Sequence, residues 1–191
     1  MGFIANFRKA KERALCTWRL KKNRVTIGNH VSFRGVPLIN VPNGKLEIGD
    51  NTRINSGMIY NAIGGNQETS FSTKGMGSIV IGKNVGISNT AFVAQSNITV
   101  EDNVLIGGGC CVYDTDFHSL NFEYRMQSPD THVETRPVCI KNGAFIGAHS
   151  IILKGVTIGK KSVVGAGSVV TKTIPDGEIW GGNPAHFIRK V

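Results

Sequence analysis

Residues 140–170 read IKNGAFIGAHSIILKGVTIGKKSVVGAGSVV, and their spacing decides the fold. Ile140, Ile146, Ile152, Ile158, Val164 and Val170 recur every six residues. Four residues after the first five of them stand Ala144, Ser150, Val156, Ser162 and Ser168, all small or β-branched. An amphipathic helix repeats its apolar positions every 3.6 residues and an ordinary strand every two. A strict period of six fits neither. It fits a coil of short strands with one deep inward residue per flat side, and hexapeptide repeats are a β-helix signature.

Outward from Ile140 the same ladder extends back to the start of the domain. Inward positions are read at Ile27, Phe33 and Ile39, then Ile48, Ile54 and Tyr60, then Ile81, Ile87 and Val93, then Val100, Ile106 and Val112. Three hexads make one triangular turn. The chain therefore predicts an all-β solenoid, a parallel β-helix of about six coils over residues 25–174. At a strand spacing of ~4.8 Å the prism is roughly 29 Å tall. Each buried Ile or Val contributes about 1.5–3 kcal/mol, set against the entropy of ordering the chain. Gly49-Asp50-Asn51 and Glu101-Asp102-Asn103 supply residues suited to tight corners.

Two stretches break the period, residues 61–78 and 113–137, and both read as loops thrown out from a corner. Such loops often carry the binding face of a solenoid. The second is chemically rich, holding Asp114, Asp116, His118, Tyr124, Arg125 and His132. Residues 175–191 form a C-terminal tail.

Composition narrows the function classes. The chain has 191 residues, enough for one domain with a real core, and 24 glycines against 9 phenylalanines, a balance suited to turns. Net charge is +9, but residues 1–24 hold eight basic residues and one acid, so the basic character belongs to that segment. This argues against a nucleic-acid-binding face on the domain as a whole. Residues 1–24 read as a basic helix with Phe3, Phe7, Ala10, Ala14 and Trp18 on one stripe and Ile4 and Leu15 beside it. Two readings stand: a cap over the open first coil, or an anchor on anionic lipid. No apolar run spans a membrane, and the first residues resemble neither a signal peptide nor a myristoylation site. Cys16, Cys110, Cys111 and Cys139 show no metal or disulfide spacing and read as reduced thiols. The stretch Gly77 to Asn84 approaches a phosphate loop but lacks its closing Ser or Thr and a following helix. Asn97-Ile98-Thr99 fits a glycosylation acceptor but sits in the coil.

The hexapeptide coils together with YDTDFHSL, FIGAHSIILKGVTIG, VVGAGSVVTKTIP and GGNPAHFIRK resemble the left-handed β-helix acyltransferases. Within these the chain is most similar to sugar and polysaccharide O-acetyltransferases related to the maltose, galactoside and streptogramin enzymes. The resemblance covers roughly residues 25–191 and is most specific from residue 98 onward. It implies a left-handed coil, against the usual right-handed crossover of parallel strands. It also implies a homotrimer with sites shared between subunits, acetyl-CoA as co-substrate and no metal. His118 matches the family's catalytic histidine. Imidazole, with an unperturbed pKa near ~6.5, suits the deprotonation of a hydroxyl. Asp114 and Asp116 could accept from its other ring nitrogen and fix the tautomer, or they could simply form turns. Asn89 corresponds, two residues displaced, to an asparagine that helps hold the acceptor. Ala94 and Gln95 stand where the family has an acid, a departure that bears on the acceptor. For the co-substrate, Ala148 and Ala166 stack one coil apart, and the Ala148 N–H is a candidate oxyanion donor. Thr171, Lys172 and Arg189 match residues near the nucleotide end, while Lys160 and Lys161 read as solvated corners.

The expected activity is acetyl transfer to a hydroxyl of a sugar or surface-polysaccharide precursor, in the cytoplasm or at the inner face of the membrane. Rival readings are N-acetylation of an amino sugar nucleotide or xenobiotic, a zinc enzyme on the same coil, and a non-catalytic scaffold. The zinc enzyme needs three converging histidines, and only His118 and His149 lie near suitable positions.

Overall fold

The computed structural model describes residues 2–191, with side chains from residue 5 onward. Phe3 and Ile4 of the expected apolar stripe lie outside the described side chains. The period of six becomes three parallel ladders. On the first face Ile27, Ile48, Ile81, Val100, Ile140 and Ile158 stand in register. The second face aligns Phe33, Ile54, Ile87, Ile106, Ile146 and Val164. The third aligns Ile39, Phe71, Phe92, Val112, Ile152 and Val170. The result is a left-handed parallel β-helix of six triangular coils. From Ile48 onward every ladder residue is buried, whereas Ile27, Phe33 and Ile39 of the first coil are partly exposed.

Two inward assignments are corrected, both on the third face beside an interruption. Phe71, not Tyr60, fills the second coil, and Phe92, not Val93, fills the third. The two rings stack at 5.2 Å between centroids. The strand Ser70–Thr73 has already rejoined the coil, so the first excursion occupies residues 57–69 instead of reaching 78. Polar residues at 70, 72 and 73 hide this strand from a hydrophobicity count, because only Phe71 marks its inward side.

Corners follow from residues that tolerate left-handed backbone. His30, Asn51, Asn84, Asn103, Gly143 and Lys161 stack along one edge, all at positive φ. Each corner bonds to the previous one, as where the Asn84 N–H meets the Asp50 carbonyl at 2.9 Å. Carboxylates reinforce the edge: Asp50 Oδ1 accepts from the Asn29 N–H and Asp102 Oδ1 from the Lys83 N–H, each at 2.7 Å. The bond from Asn29 holds the Asp50 carboxyl below its ordinary range.

The helix Gly2–Lys22 lies across the first coil. Its buried side chains are Cys16 and Leu20, and burial pushes the Cys16 thiol up to about 11. Arg19 Nη1 donates to the Pro37 carbonyl at 2.8 Å, and Asn23 Oδ1 accepts from the Val41 N–H at 2.9 Å. The Tyr60 hydroxyl donates to Glu12, which accounts for its absence from the ladder. These anchors rotate the helix so that Phe7, Leu15 and Trp18 remain exposed. At the other end the tail is a hairpin. Glu178–Gly182 adds a parallel strand to the second face beside Val163 and Val164, and Ala185–Lys190 folds back antiparallel on it.

Candidate active site

The second excursion leaves the corner between the third and first faces after Tyr113 and returns at Val138. Its neck is paired: Thr115 and Thr135 form an antiparallel bridge, the Arg136 N–H donates to the Asp114 carbonyl at 2.9 Å, and the Asp116 N–H to the Glu134 carbonyl at 3.1 Å. Asp114 is fully buried. Its two oxygens accept from the Gln95 and Ser96 N–H groups at 2.7 and 2.8 Å. Burial raises its pKa, and those backbone bonds act in the opposite direction. Asp114 therefore holds the corner of the coil above and has no oxygen facing His118. Asp116 pairs with Lys154, Oδ1 to Nζ at 3.0 Å, and Lys154 also reaches Glu134 at 3.6 Å. Neither aspartate expected beside the histidine is its partner.

That partner is Asp130, which comes from the far limb of the loop. Phe117, at φ 66°, turns the chain and packs edge-on against Tyr113 at 5.1 Å. His118 then points outward with 72% of its side chain exposed, and its Nδ1 lies 3.5 Å from Asp130 Oδ2. Only 13% of the Asp130 side chain is exposed. Its Oδ2 accepts from the Ser119 N–H at 2.8 Å, and its buried Oδ1 has no hydrogen-bond partner among the described residues. A carboxylate on the Nδ1 side favours a proton there and leaves Nε2 as the free basic nitrogen. The sequence offered no periodic signal for Asp130, because eleven residues of loop separate it from His118.

Asn89 is fully committed. It is buried at φ 45°, its Oδ1 accepts from the Gly57 N–H at 2.8 Å, and its Nδ2 donates to the Asn61 and Ile63 carbonyls at 2.9 and 3.1 Å. It staples the first excursion to the coil and has no group left for an acceptor.

The opposite edge of the third face carries Ala148 and Ala166. The Gly167 N–H donates to the Ala148 carbonyl at 2.8 Å, so the two alanines stack one coil apart. Gly107 and Gly147 sit beside them where a Cβ would collide with the Ala148 and Ala166 backbones. The Ala148 and Ala166 N–H groups have no acceptor among the described residues. Thr171 and Lys172 are exposed at the corner from which the histidine loop departs, one coil beyond Lys154, and Arg189 is exposed on the final strand. Within one chain the structure thus stacks the two alanines but keeps His118 on the other edge of the face. His149 is on the alanine corner, so the two histidines do not meet. No group of three metal-ligating side chains occurs among the described residues.

Comparison with known proteins agrees with this coil. The family described as the hexapeptide repeat of succinyl-transferase matches residues 137–172. The galactoside O-acetyltransferase of Escherichia coli (strain K12) is 37% identical over 115 residues, covering 60% of this chain and 55% of that protein. The chain thus spans about half the length of the curated relatives it matches. Among solved structures, a mutant of AntD, an N-acyltransferase from Bacillus cereus in complex with dTDP and coenzyme A, superposes with a TM-score of 0.68. It is 26% identical, over 91% of this chain and 88% of that one. A hexapeptide-repeat-containing acetyltransferase from Vibrio cholerae, complexed with acetyl-CoA, gives 0.59 at 26% identity, over 91% and 75%. In sequence and in backbone, the coil is similar to the hexapeptide-repeat proteins named above.

Proposed function

We propose that this chain is an acetyl-CoA-dependent O-acetyltransferase whose acceptor is a hydroxyl of a sugar or surface-polysaccharide precursor. The observation that carries the reading is His118 itself, exposed on an anchored loop with Asp130 behind its Nδ1. His118 Nε2 takes the proton of the acceptor hydroxyl as its oxygen attacks the thioester carbonyl. The developing oxyanion is met by a fixed N–H, for which Ala148 has one free. The intermediate collapses, the C–S bond breaks, and the imidazolium returns its proton to the departing thiolate. The acetyl group moves directly, with no acyl-enzyme. The small side chains of Ala148 and Ala166 leave room for the pantetheine arm, and Thr171, Lys172 and Arg189 supply polar and cationic contacts for the nucleotide end.

Because His118 and Ala148 stand on different edges of one face, the complete site joins the loop of one subunit to the alanine corner of the next, in a homotrimer. Leu120, Phe122 and Met126, exposed at the loop tip, support such a contact. On this reading the reaction takes place in the cytoplasm or at the inner membrane face.

A second reading, N-acetylation of an amino sugar nucleotide, is favoured by the likeness to the N-acyltransferase from Bacillus cereus. Release of free thiol from acetyl-CoA, followed with matched hydroxyl and amine sugars, separates the two. Turnover confined to amines overturns the O-acetyl reading, and turnover with neither overturns both.

A further inference from the structure

The N-terminal helix has two faces of opposite character, and the coil uses only one. Its inner side runs through Glu12, Cys16 and Leu20 at four-residue steps, and Cys16 and Leu20 are buried against the first coil. Its outer side runs through Phe7, Lys11, Ala14, Leu15, Trp18 and Lys22 at three- and four-residue steps, and all six are exposed. Phe7 is 69% exposed and Trp18 55%, which is more than packing against the coil requires. Lys22 Nζ sits 4.9 Å from the centre of the Trp18 ring.

Charge decides what this face fits. Residues 1–24 contain eight cations and a single acid. That acid, Glu12, is turned to the inner side, where the Tyr60 hydroxyl donates to it and Arg8 lies 3.7 Å away. The outer side is therefore mixed: at about 100° per residue Lys11 and Lys22 fall between Trp18 and Leu15, with Phe7 and Ala14 beside Trp18 and no acid among them. A second copy of the same face would oppose lysine to lysine. A nucleic-acid backbone would satisfy the lysines but leave Phe7 and Leu15 in water. A bilayer with anionic headgroups satisfies both. The aromatic and leucine side chains enter the boundary between headgroups and acyl chains, and the lysines, long enough to bend outward, meet the phosphates.

We propose that the outer face of Gly2–Lys22 docks this protein on an anionic membrane surface, with the helix lying flat and the coil standing above it. The dock is independent of the chemistry at His118. It concentrates the enzyme where acceptors carried on lipid are held.

The test is co-sedimentation of the full-length protein with vesicles of phosphatidylcholine containing phosphatidylglycerol, against vesicles of phosphatidylcholine alone. Binding to the anionic vesicles is expected to be more than tenfold tighter, and to weaken in 0.5 M salt. The double variant Phe7→Ala/Trp18→Ala and the charge variant Lys11→Glu/Lys22→Glu are each expected to lose more than tenfold of that binding. In both, thermal unfolding and thiol release with a soluble acceptor should match the parent. Equal binding to both vesicle types, or anionic binding unchanged in both variants, overturns the proposal. So does dissociation of the assembly into smaller species in either variant, read as its mass in solution, which would make the face a contact between subunits.

Discussion

The fifth and sixth coils and the loop at residues 114–137 adjoin one another and obey opposite rules. In the coils each inward side chain is buried and each strand pairs in parallel with the strand of the coil before it, so that one geometry recurs turn after turn. In the loop every residue from 120 to 129 is exposed, and the few bonds that hold it are particular: Asp114 to the Gln95 and Ser96 N–H groups, Asp116 to Lys154, Asp130 to the Ser119 N–H. Repetition makes a rigid wall that offers backbone N–H groups and room for the co-substrate but no side-chain base. A single irregular segment, clamped at its neck, carries the proposed base. Stability and activity should accordingly respond to different substitutions.

The largest separation is expected from His118→Ala. Loss of a general base lowers kcat by about 10²–10⁴-fold, while the melting temperature should hold, because the imidazole is mostly in water. Initial rates and a thermal scan on the same preparation check both halves. A retained rate would remove His118 from the role of base. The mirror image is Ile152→Ala, which opens a void in the ladder at a cost of about 2–5 kcal/mol. Denaturant unfolding should show that loss, and the rate per folded molecule should stay near the parent value.

The two aspartates sharpen the contrast within the loop. Asp130→Asn should lower kcat by ~10–100-fold with little change in KM, the range that outer partners of a functional imidazole command. It should also alter the pH–rate profile. Asp114→Asn replaces one accepting oxygen with a donor and leaves a backbone N–H of Gln95 or Ser96 unpaired. The expected cost is about 1–3 kcal/mol of stability, with kcat of the folded protein retained. If the two substitutions exchange these effects, the assignment of partners made above is wrong.

The smallest effect concerns the helix. The hydrogen bond to Glu12, the largest cause, raises the folded pKa of Tyr60 above its ordinary value. A raised folded pKa means that the contact contributes fully below the unfolded value of about 10. It is lost as pH rises through the folded one. Protease sensitivity of residues 1–22 should increase above that pH while the coil stays resistant, and Tyr60→Phe should show the increase already at neutral pH.

The coil was legible because every turn restates it. A misread at Tyr60 or Val93 costs one rung, and neighbouring rungs still fix the register. Both misreadings lie beside interruptions, where the phase has to be chosen again. His118 stood out through its motif, but the aspartate that lies beside it did not. Asp114, Asp116 and Asp130 are alike as loop aspartates, and only the folded path shows that one is buried under backbone amides, one meets a lysine from the next coil, and one reaches the imidazole. Asn89 shows the same limit from the other side, since a corner asparagine and a binding asparagine read identically until its bonds are seen. The helix had a plain apolar stripe. Which side the coil would take depended on Arg19, Asn23 and Tyr60, whose partners lie eighteen or more residues away.

The hairpin after the last coil alters what the molecule can become. A parallel coil ends in a row of unpaired backbone groups, a template on which another coil or another molecule could grow. Ala185–Lys190 runs against the direction of every strand it follows, so the second face ends on a strand whose polarity no further parallel rung continues. Elongation at that end would first require the reversed strand to peel away. The reversal acts as a terminator of filament growth on that face.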